Sequence, residues 1–471
     1  VAVIAFCAVT RNNWPMKYAL AVLALFAAPA LADPAATART QAVEILRRSV
    51  AFETVEGRGH VPAYAVYLRD VLIEGGFAAS DIEFVSYKDT GSLIARYRGK
   101  DQKAAPILVT AHMDVVDAKP EDWKRPPFTM TADDTFFYGR GVLDNKFDLS
   151  MVVATVIRLK AEGFTPKRDI VLVFSGDEET VGDTAQMIAP RFKNALFMLN
   201  TDAGGGALDD AGKPIGYGLQ AAEKTYADFR LTVTDPGGHS SRPGPRNAIH
   251  VLSQALLALQ AKAFAPQVSE ISRGYFAALS ARTPGPDGAA MAALAKDPKD
   301  AAAIARLSGN REYIGQLRTT CVATQLAGGH APNALPQKAT ATINCRIMPG
   351  VAVAAVQAEL AAAIANPEVA IEVMGKPPMA PASPLRADVL AAVKKAVSVR
   401  GPGVTVSPQM SAGATDSVFY RAIGIPSYGV SGLWMNPADD FAHGLNERAP
   451  KAAVAPAIEH WHTLLTELAG K

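Results

Sequence analysis

The chain lacks a long basic run. Its 471 residues carry a formal net charge of +2 with 20% charged side chains, so it offers no electrostatic footprint for nucleic acid or an anionic membrane surface. It also lacks a Gly-x-Ser-x-Gly elbow, and no cysteine stands in motif context with a histidine, which argues against nucleophilic hydrolysis by serine or thiol. A membrane anchor is missing where one would be most natural. From Met16, "MKYALAVLALFAAPALA" gives Lys17 as a short positive region and an apolar stretch from Tyr18 to Ala28 that Pro29 breaks, well short of the roughly 20 residues of a span. With the small-residue site Ala30, Leu31, Ala32 it reads as a secretory signal cleaved after Ala32, and the mature chain is expected in the periplasm or outside the cell. The upstream piece "VAVIAFCAVTRNNWP" adds nothing to that signal, so Met16 is the expected start. Cysteine is scarce, three residues in all. Cys7 goes with the leader, which leaves Cys321 and Cys345 on two apparently adjacent strands, either bridged or as two buried thiols.

What is present is ordinary globular composition, 49% hydrophobic, enough for two or three cores of about 100 to 200 residues each. Short apolar runs ("PILVTAH", "DIVLVFSGD", "ALFMLNTDAG", "GIPSYGVSG") alternate with helical patterns such as "SMVVATVIRLKAEG" and "AIEHWHTLLTELAG". This predicts an α/β domain with a mostly parallel sheet covered on both faces. From about residue 224 the pattern changes to β-α-β-β-α-β, the ferredoxin-like split unit. It comprises "TYADFRLTVT", the helix with Ile249, Leu252, Leu256 and Leu259, the strand pair "TTCVATQL" and "KATATINCRI", a second helix and "VAIEV". The expected layout is therefore a leader at 1–32, a first catalytic part at 33–223, an inserted α+β lid at 224–377 with an added helical insert at about 265–316, and a second catalytic part at 378–471.

Chemistry-bearing residues follow the buried runs. "ILVTA" leads into His112 and Asp114, "IVLVF" into Asp177, Glu178 and Glu179, and "LFMLN" into Asp202; Asp144 lies in "YGRGVLDNK" and His443 in "FAHGLNE". At the carboxyl ends of parallel strands such residues converge. Several carboxylates with imidazole require a counter-charge, and the donors suit zinc, manganese or cobalt. His60, His250, His330, His460 and His462 lie outside these stretches and are not counted as ligands.

The set "AHMDVVDAKPEDWKRPPF", "YGRGVLDNK", "SGDEETVG", "NTDAGGG" and "FAHGLNE" resembles the M20 metallopeptidases, most closely the carboxypeptidase S branch, over essentially all of residues 40–471. The resemblance implies two zinc ions, one held by His112, Asp144 and Asp202 and the other by the bridging Asp144 with Glu179 and His443. It makes Glu178 the general base acting on a metal-bridging water, Asp114 the partner that fixes the His112 tautomer, and His239 of "DPGGHSSRPG" a lid residue that steadies the oxyanion. Asn333, Arg346 and Gly413 match substrate-binding positions, with Arg346 also on the polar face of its alternating strand. Asp177 is read as turn or capping chemistry. Asn145 stands after the bridging acid where many relatives carry Asp, which bears on hydrogen bonding around the metals. The implied activity is that of an exported co-catalytic dizinc exopeptidase, a carboxypeptidase or dipeptidase cutting next to a free carboxylate. The alternatives are an N-acyl amino acid hydrolase and, more remotely, a metal-free binding protein. The partners implied are a small peptide or N-acyl amino acid and, through the lid, a second copy of the chain.

Overall fold

The computed structural model describes residues 33–470; the signal reading at 16–32 lies outside them. The near-continuous Val, Ile and Leu runs become the middle of a ten-stranded sheet. Ile170–Ser175, Ile107–His112, Phe197–Asn200 and Ser427–Gly429 lie side by side in parallel. Ile82–Tyr87 and Thr90–Tyr97 close one side antiparallel, and Pro214–Glu223 continues the sheet antiparallel on the other. The sheet is thus mixed: parallel at its centre, antiparallel on the side of residues 82–97, and of both senses beyond Pro214–Glu223, where Val406–Ser411 and Trp434–Met435 again pair in parallel.

Alternate residues of each central strand serve two cores, which explains why the runs carry no polar alternation. Ile107, Val109, Ile170, Leu172 and Phe174 face the helices Pro34–Val50, Lys146–Ala161 and Val454–Ala469. Leu108, Val171 and Val173 face the short helices Asp183–Ile188 and Ser417–Ala422 on the other side. The first layer is further tied by Asp148, a buried carboxylate that accepts from Gly432 N and Trp461 Nε1. His460 is buried beside Tyr217, and that burial pushes its imidazole down to about 4.

A second sheet has its own core. Its antiparallel order is Thr320–Gly328, Lys338–Ile347, Thr225–Thr234, Ala370–Met374, the arrangement a ferredoxin-like split unit produces. Helices Ala248–Ala261 and Val353–Ile364 cover one face, burying Phe229, Leu231, Ile343 and Ile347 with Leu252 and Leu360. The 265–316 stretch forms helices Glu270–Ser280, Gly285–Lys296, Ala301–Ser308 and Arg311–Ile314 around Phe276, Met291, Leu294 and Leu307. Although inserted within the second sheet's sequence, these helices reach the large sheet. Gln316 donates to the Met410 carbonyl and Arg282 to that of Ile215.

Cys321 and Cys345 are directly opposite in register and joined by a disulfide, with Cα atoms 4.1 Å apart. The cross-link closes a loop across a sequence separation of 24, for which chain entropy gives about 3 kcal/mol. Replacing both by Ser is expected to lower the denaturant midpoint accordingly. Peptide mapping of the unreduced protein is expected to recover the two cysteines linked, and free thiols at both positions would contradict this.

Candidate metal centre and active site

Three neighbouring strand ends deliver the functional side chains. His112 is the last residue of its strand, Glu178 and Glu179 follow Ser175, and Asp202 follows Asn200. Asp144 comes from the loop before helix Lys146–Ala161, and its peptide bond to Asn145 is cis. His443 comes from the loop after Trp434–Met435.

His112 Nε2 lies 2.9 Å from Asp144 Oδ1 and 3.6 Å from Asp202 Oδ1. His443 Nε2 lies 3.1 Å from Asp144 Oδ2 and 2.9 Å from Glu179 Oε2. Asp144 therefore turns one oxygen to each imidazole, as a bridging ligand must. Ligand atoms of His112, Asp144 and Glu179 form one group within 4.8 Å of one another, and those of His112, Glu178 and Asp202 form another.

The donor set passes a test of fit to a cation. His112 Nδ1 faces the Asp114 carbonyl at 3.0 Å, which can only accept, so Nδ1 carries a proton and Nε2 is the nitrogen turned to the carboxylates. Nε2 meets carboxylate oxygens, an apposition that only a proton or a metal relieves. The electrostatics agree. Burial, with Asp144 and Glu179 adding repulsion, pushes Asp202 up to about 7 although His112 pulls it down. Burial and then Asp202 raise Glu178 well above the usual carboxylate range. Hydrogen bonds to Asp144 and Glu179 lift His443 to about 10. Buried like charges at this density need a positive partner, and imidazole plus carboxylate is zinc, manganese or cobalt chemistry.

Around the cluster, the role of Asp114 changes in detail. The Asp114 carboxylate is 3.6 Å from His112 Nδ1, farther than its own carbonyl. Instead it accepts the backbone N–H groups of Glu178 and Glu179 at 3.2 and 3.0 Å, so it holds the acidic turn while its main chain orients the imidazole. At Gly413 a Cβ would meet only Ser411 Oγ, at an ordinary 3.6 Å, so no packing of the described residues demands glycine there. Asp177 caps helix Asp183–Ile188 by accepting from Thr184 N. Asn145 donates to Asp202 at 3.3 Å and accepts from Thr201; an Asp there would set like charge against Asp202.

The substrate-binding candidates fall into two places. Arg346 donates to the Ala412 carbonyl at 2.7 Å and stacks on Tyr226, which brings it to the loop of Gly413. His239 and Asn333 sit together on a small ribbon, where Gly238–His239 pairs with Ala334–Leu335 and Ser240 N donates to the Asn333 carbonyl. His239 is exposed, accepts from Ser241, and makes no hydrogen bond to the acidic cluster among the described residues.

Sequence reasoning missed Glu447, four residues beyond His443 in the same "FAHGLNE" stretch. It is fully buried, and its carboxylate accepts from the backbone N–H groups of Gly141, Leu143 and Asp144 and from Arg140 at 2.7 Å. Arg140 also donates to the His443 carbonyl. One acid thus binds the bridging-ligand loop to the late histidine loop, and its fixed place in the motif was the available signal. Lys146, also buried, donates to the Ser49 and Phe52 carbonyls and anchors the start of its helix.

With this geometry in view, similarity to known proteins decides the family. The model of peptidase family M20/M25/M40 matches residues 108–467. The chain belongs to that family. It is 32% identical over 271 residues to the probable carboxypeptidase S-like 2 of Dictyostelium discoideum, covering 55% of this chain and 51% of that relative, so it spans about half of that protein's length. It is 28% identical over 384 residues to the N-fatty-acyl-amino acid synthase/hydrolase PM20D1 of Xenopus tropicalis, covering 79% of this chain and 74% of the other. The fold is that of the M20 family metallo-carboxypeptidase Sso-CP2 from Sulfolobus solfataricus, with a TM-score of 0.67, 19% identity, and 91% of this chain and 99% of that one covered.

Glu447→Ala is expected to strand Arg140 as an unpaired buried charge and to cost about 3–5 kcal/mol in a denaturant titration. Loosening Asp144 and His443 together is expected to weaken metal affinity by about 10–100-fold, measured by chelator competition with added divalent ions. Unchanged affinity in folded protein would contradict the positioning role.

Proposed function

We propose that this M20 hydrolase is an exported dizinc exopeptidase that cleaves the amide bond of a residue bearing a free carboxylate. One metal would be held by His112, Asp144 and Asp202, the other by Asp144, Glu179 and His443. The observation that carries the reading is Glu178. Its carboxylate stands within 4.8 Å of ligand atoms of His112 and Asp202, yet it makes no hydrogen bond to the protein among the described residues, where only its main-chain N–H is engaged. A half-buried acid left free beside a ligand cluster is placed for proton transfer.

When bound, the metal pair supplies Lewis-acid polarisation of the scissile carbonyl and acidifies water. A Glu178 carboxylate oxygen takes the proton as the water oxygen bonds to the carbonyl carbon. It then delivers that proton to the amide nitrogen as the C–N bond breaks, giving a carboxylic acid and an amine. Arg346 anchors the substrate carboxylate with its guanidinium fork, and Gly413 lies in the same loop. His239 and Asn333, on the ribbon of a lid formed by 224–377, complete the site when the lid closes over substrate. Two copies pair through the lid sheet, a reading supported by exposed Val322 and Leu326 on its edge strand Thr320–Gly328. Export is supported by the Cys321–Cys345 bridge, which an oxidising compartment sustains. No described helix is long and apolar enough to cross a membrane.

A second reading, hydrolysis of N-acyl amino acids, is favoured by the PM20D1 relative. It uses the same metals, base and carboxylate anchor. Parallel assays on dipeptides and on acetylated or fatty-acylated amino acids separate the two.

Glu178→Gln is expected to keep its zinc content and lose about 10²–10⁴-fold in turnover; loss of zinc would make Glu178 a ligand. Arg346→Ala is expected to lower kcat/KM about 10–100-fold on substrates with a free carboxylate. Equal losses on carboxamide analogues would remove the anchor from the proposal.

A further inference from the structure

The two ends of the proposed substrate site are joined by a buried polar chain that the mechanism above does not use. It starts at Asp202, whose backbone N–H donates to Asn200 Oδ1 at 2.9 Å. Asn200 Nδ2 donates to Thr415 Oγ1 at 2.8 Å, and Thr415 Oγ1 donates in turn to Glu223 Oε1. Glu223 closes an ion pair with Arg421 at 2.7 Å, the two side chains being 2% and 1% exposed.

Arg421 spreads its remaining donors over Gln220, the Ser427 carbonyl and Ser383 Oγ. Ser383 N in turn donates to the Ala221 carbonyl. The network therefore grips the chain where strand Pro214–Glu223 leaves for the second sheet and where the chain comes back from it. Thr415 also belongs to the loop whose Ala412 carbonyl receives Arg346. The next residue, Asp416, accepts from Ser175 Oγ at the end of the strand that leads to Glu178.

Hydrogen-bonded side chains this deeply buried hold one geometry, because each lost partner leaves a costly unpaired group. We propose that Thr415 is a positioning residue that fixes the separation between the metal ligands and the Arg346 anchor, so that a substrate held by its carboxylate presents the scissile carbonyl at reacting distance. Resting on the Arg346 reading, it assigns the relay to the side-chain oxygen of one threonine. A misplacement of about 1 Å is enough to cost on the order of 100-fold in rate.

The test uses the full zinc-loaded chain and a panel of N-acetyl amino acids. Thr415→Val removes the relay oxygen at nearly constant shape and leaves the Glu223–Arg421 pair intact. It is expected to lower kcat about 10-fold or more with KM changed less than about 3-fold, at unchanged zinc affinity by chelator competition, and Thr415→Ser is expected to restore the rate. In an Arg346→Ala background the same Thr415→Val change is expected to cost less than about 2-fold, because the distance it protects no longer matters. Full additivity in the double variant, or loss of zinc in Thr415→Val, overturns the proposal. If Arg346→Ala alone is silent on these substrates, it is the anchor reading that fails instead. Should Thr415→Val not fold, Thr415→Cys keeps the size with a weak donor and is read in the same way.

Discussion

Repulsion among Asp144, Glu178, Glu179 and Asp202 is the constraint to which the rest of the structure answers. Four carboxylates share a partly buried space near the ends of parallel strands, and among the described residues none of the metal-ligand candidates pairs with an arginine or lysine. The supporting groups are chosen to preserve that imbalance. Asp114 holds the acidic turn through backbone N–H groups, Glu447 holds the Asp144 loop in the same manner, and Arg140 is spent on Glu447 behind the cluster. Acids brace acids through main-chain donors, so the ligand candidates stay in place without an arginine or lysine entering the space. The missing positive charge is left for metal to supply, which couples its binding to the stability of the site.

The scaffold supplies stiffness in proportion. Central strands packed on both faces place His112, Glu179 and Asp202 on one rigid sheet. The less regular contributors, Asp144 and His443, need explicit ties, and Glu447 with Arg140 provides them. Donor positions on such elements are preorganised, which is what metal geometry and transition-state electrostatics both require. The second sheet is connected more sparingly. Its core is separate, and the crossings at Glu223 and Ser383 are fastened to Arg421. Rigidity is concentrated where the chain leaves and re-enters the large sheet, and His239 on its ribbon carries no such restraint.

Much of this was legible in sequence because it follows from periodicity and motif. The Val, Ile and Leu runs predicted buried strands, their ends predicted convergence, and the alternation around Cys345 put Arg346 on the polar face, as the burial pattern of Lys338–Ile347 shows. Glu447 escaped because an acid whose partners are mostly backbone N–H groups, with one distant arginine, looks like any polar turn residue. The Asn200–Thr415–Glu223 chain escaped for a related reason: its members are common polar residues far apart in sequence, and only the packed sheet brings them within hydrogen-bond reach. The attachment of the 265–316 helices to the large sheet was equally hidden. Their own pattern specifies a small core around Phe276 and Met291, while the docking surface is set by Gly274 lying against Pro408, a fit of shape without a sequence period.

Peptide and N-acyl amino acid hydrolysis share the metals, the base and the carboxylate anchor, so none of those features can discriminate between them. The difference must lie on the acyl side of the scissile bond. The sequence places exposed apolar residues next to the ligand candidates: Val181 two positions after Glu179, and Phe441 and Leu445 on either side of His443, respectively 60%, 37% and 54% exposed. Left in water, each forgoes roughly 25 cal/mol per Å² of burial, an incentive to cover them with something apolar. A long acyl chain or an apolar penultimate side chain covers such a rim, whereas a charged or small one does not. Under the proposed function, the choice between the two substrates falls to such apolar surface, because the catalytic centre they share is indifferent to it.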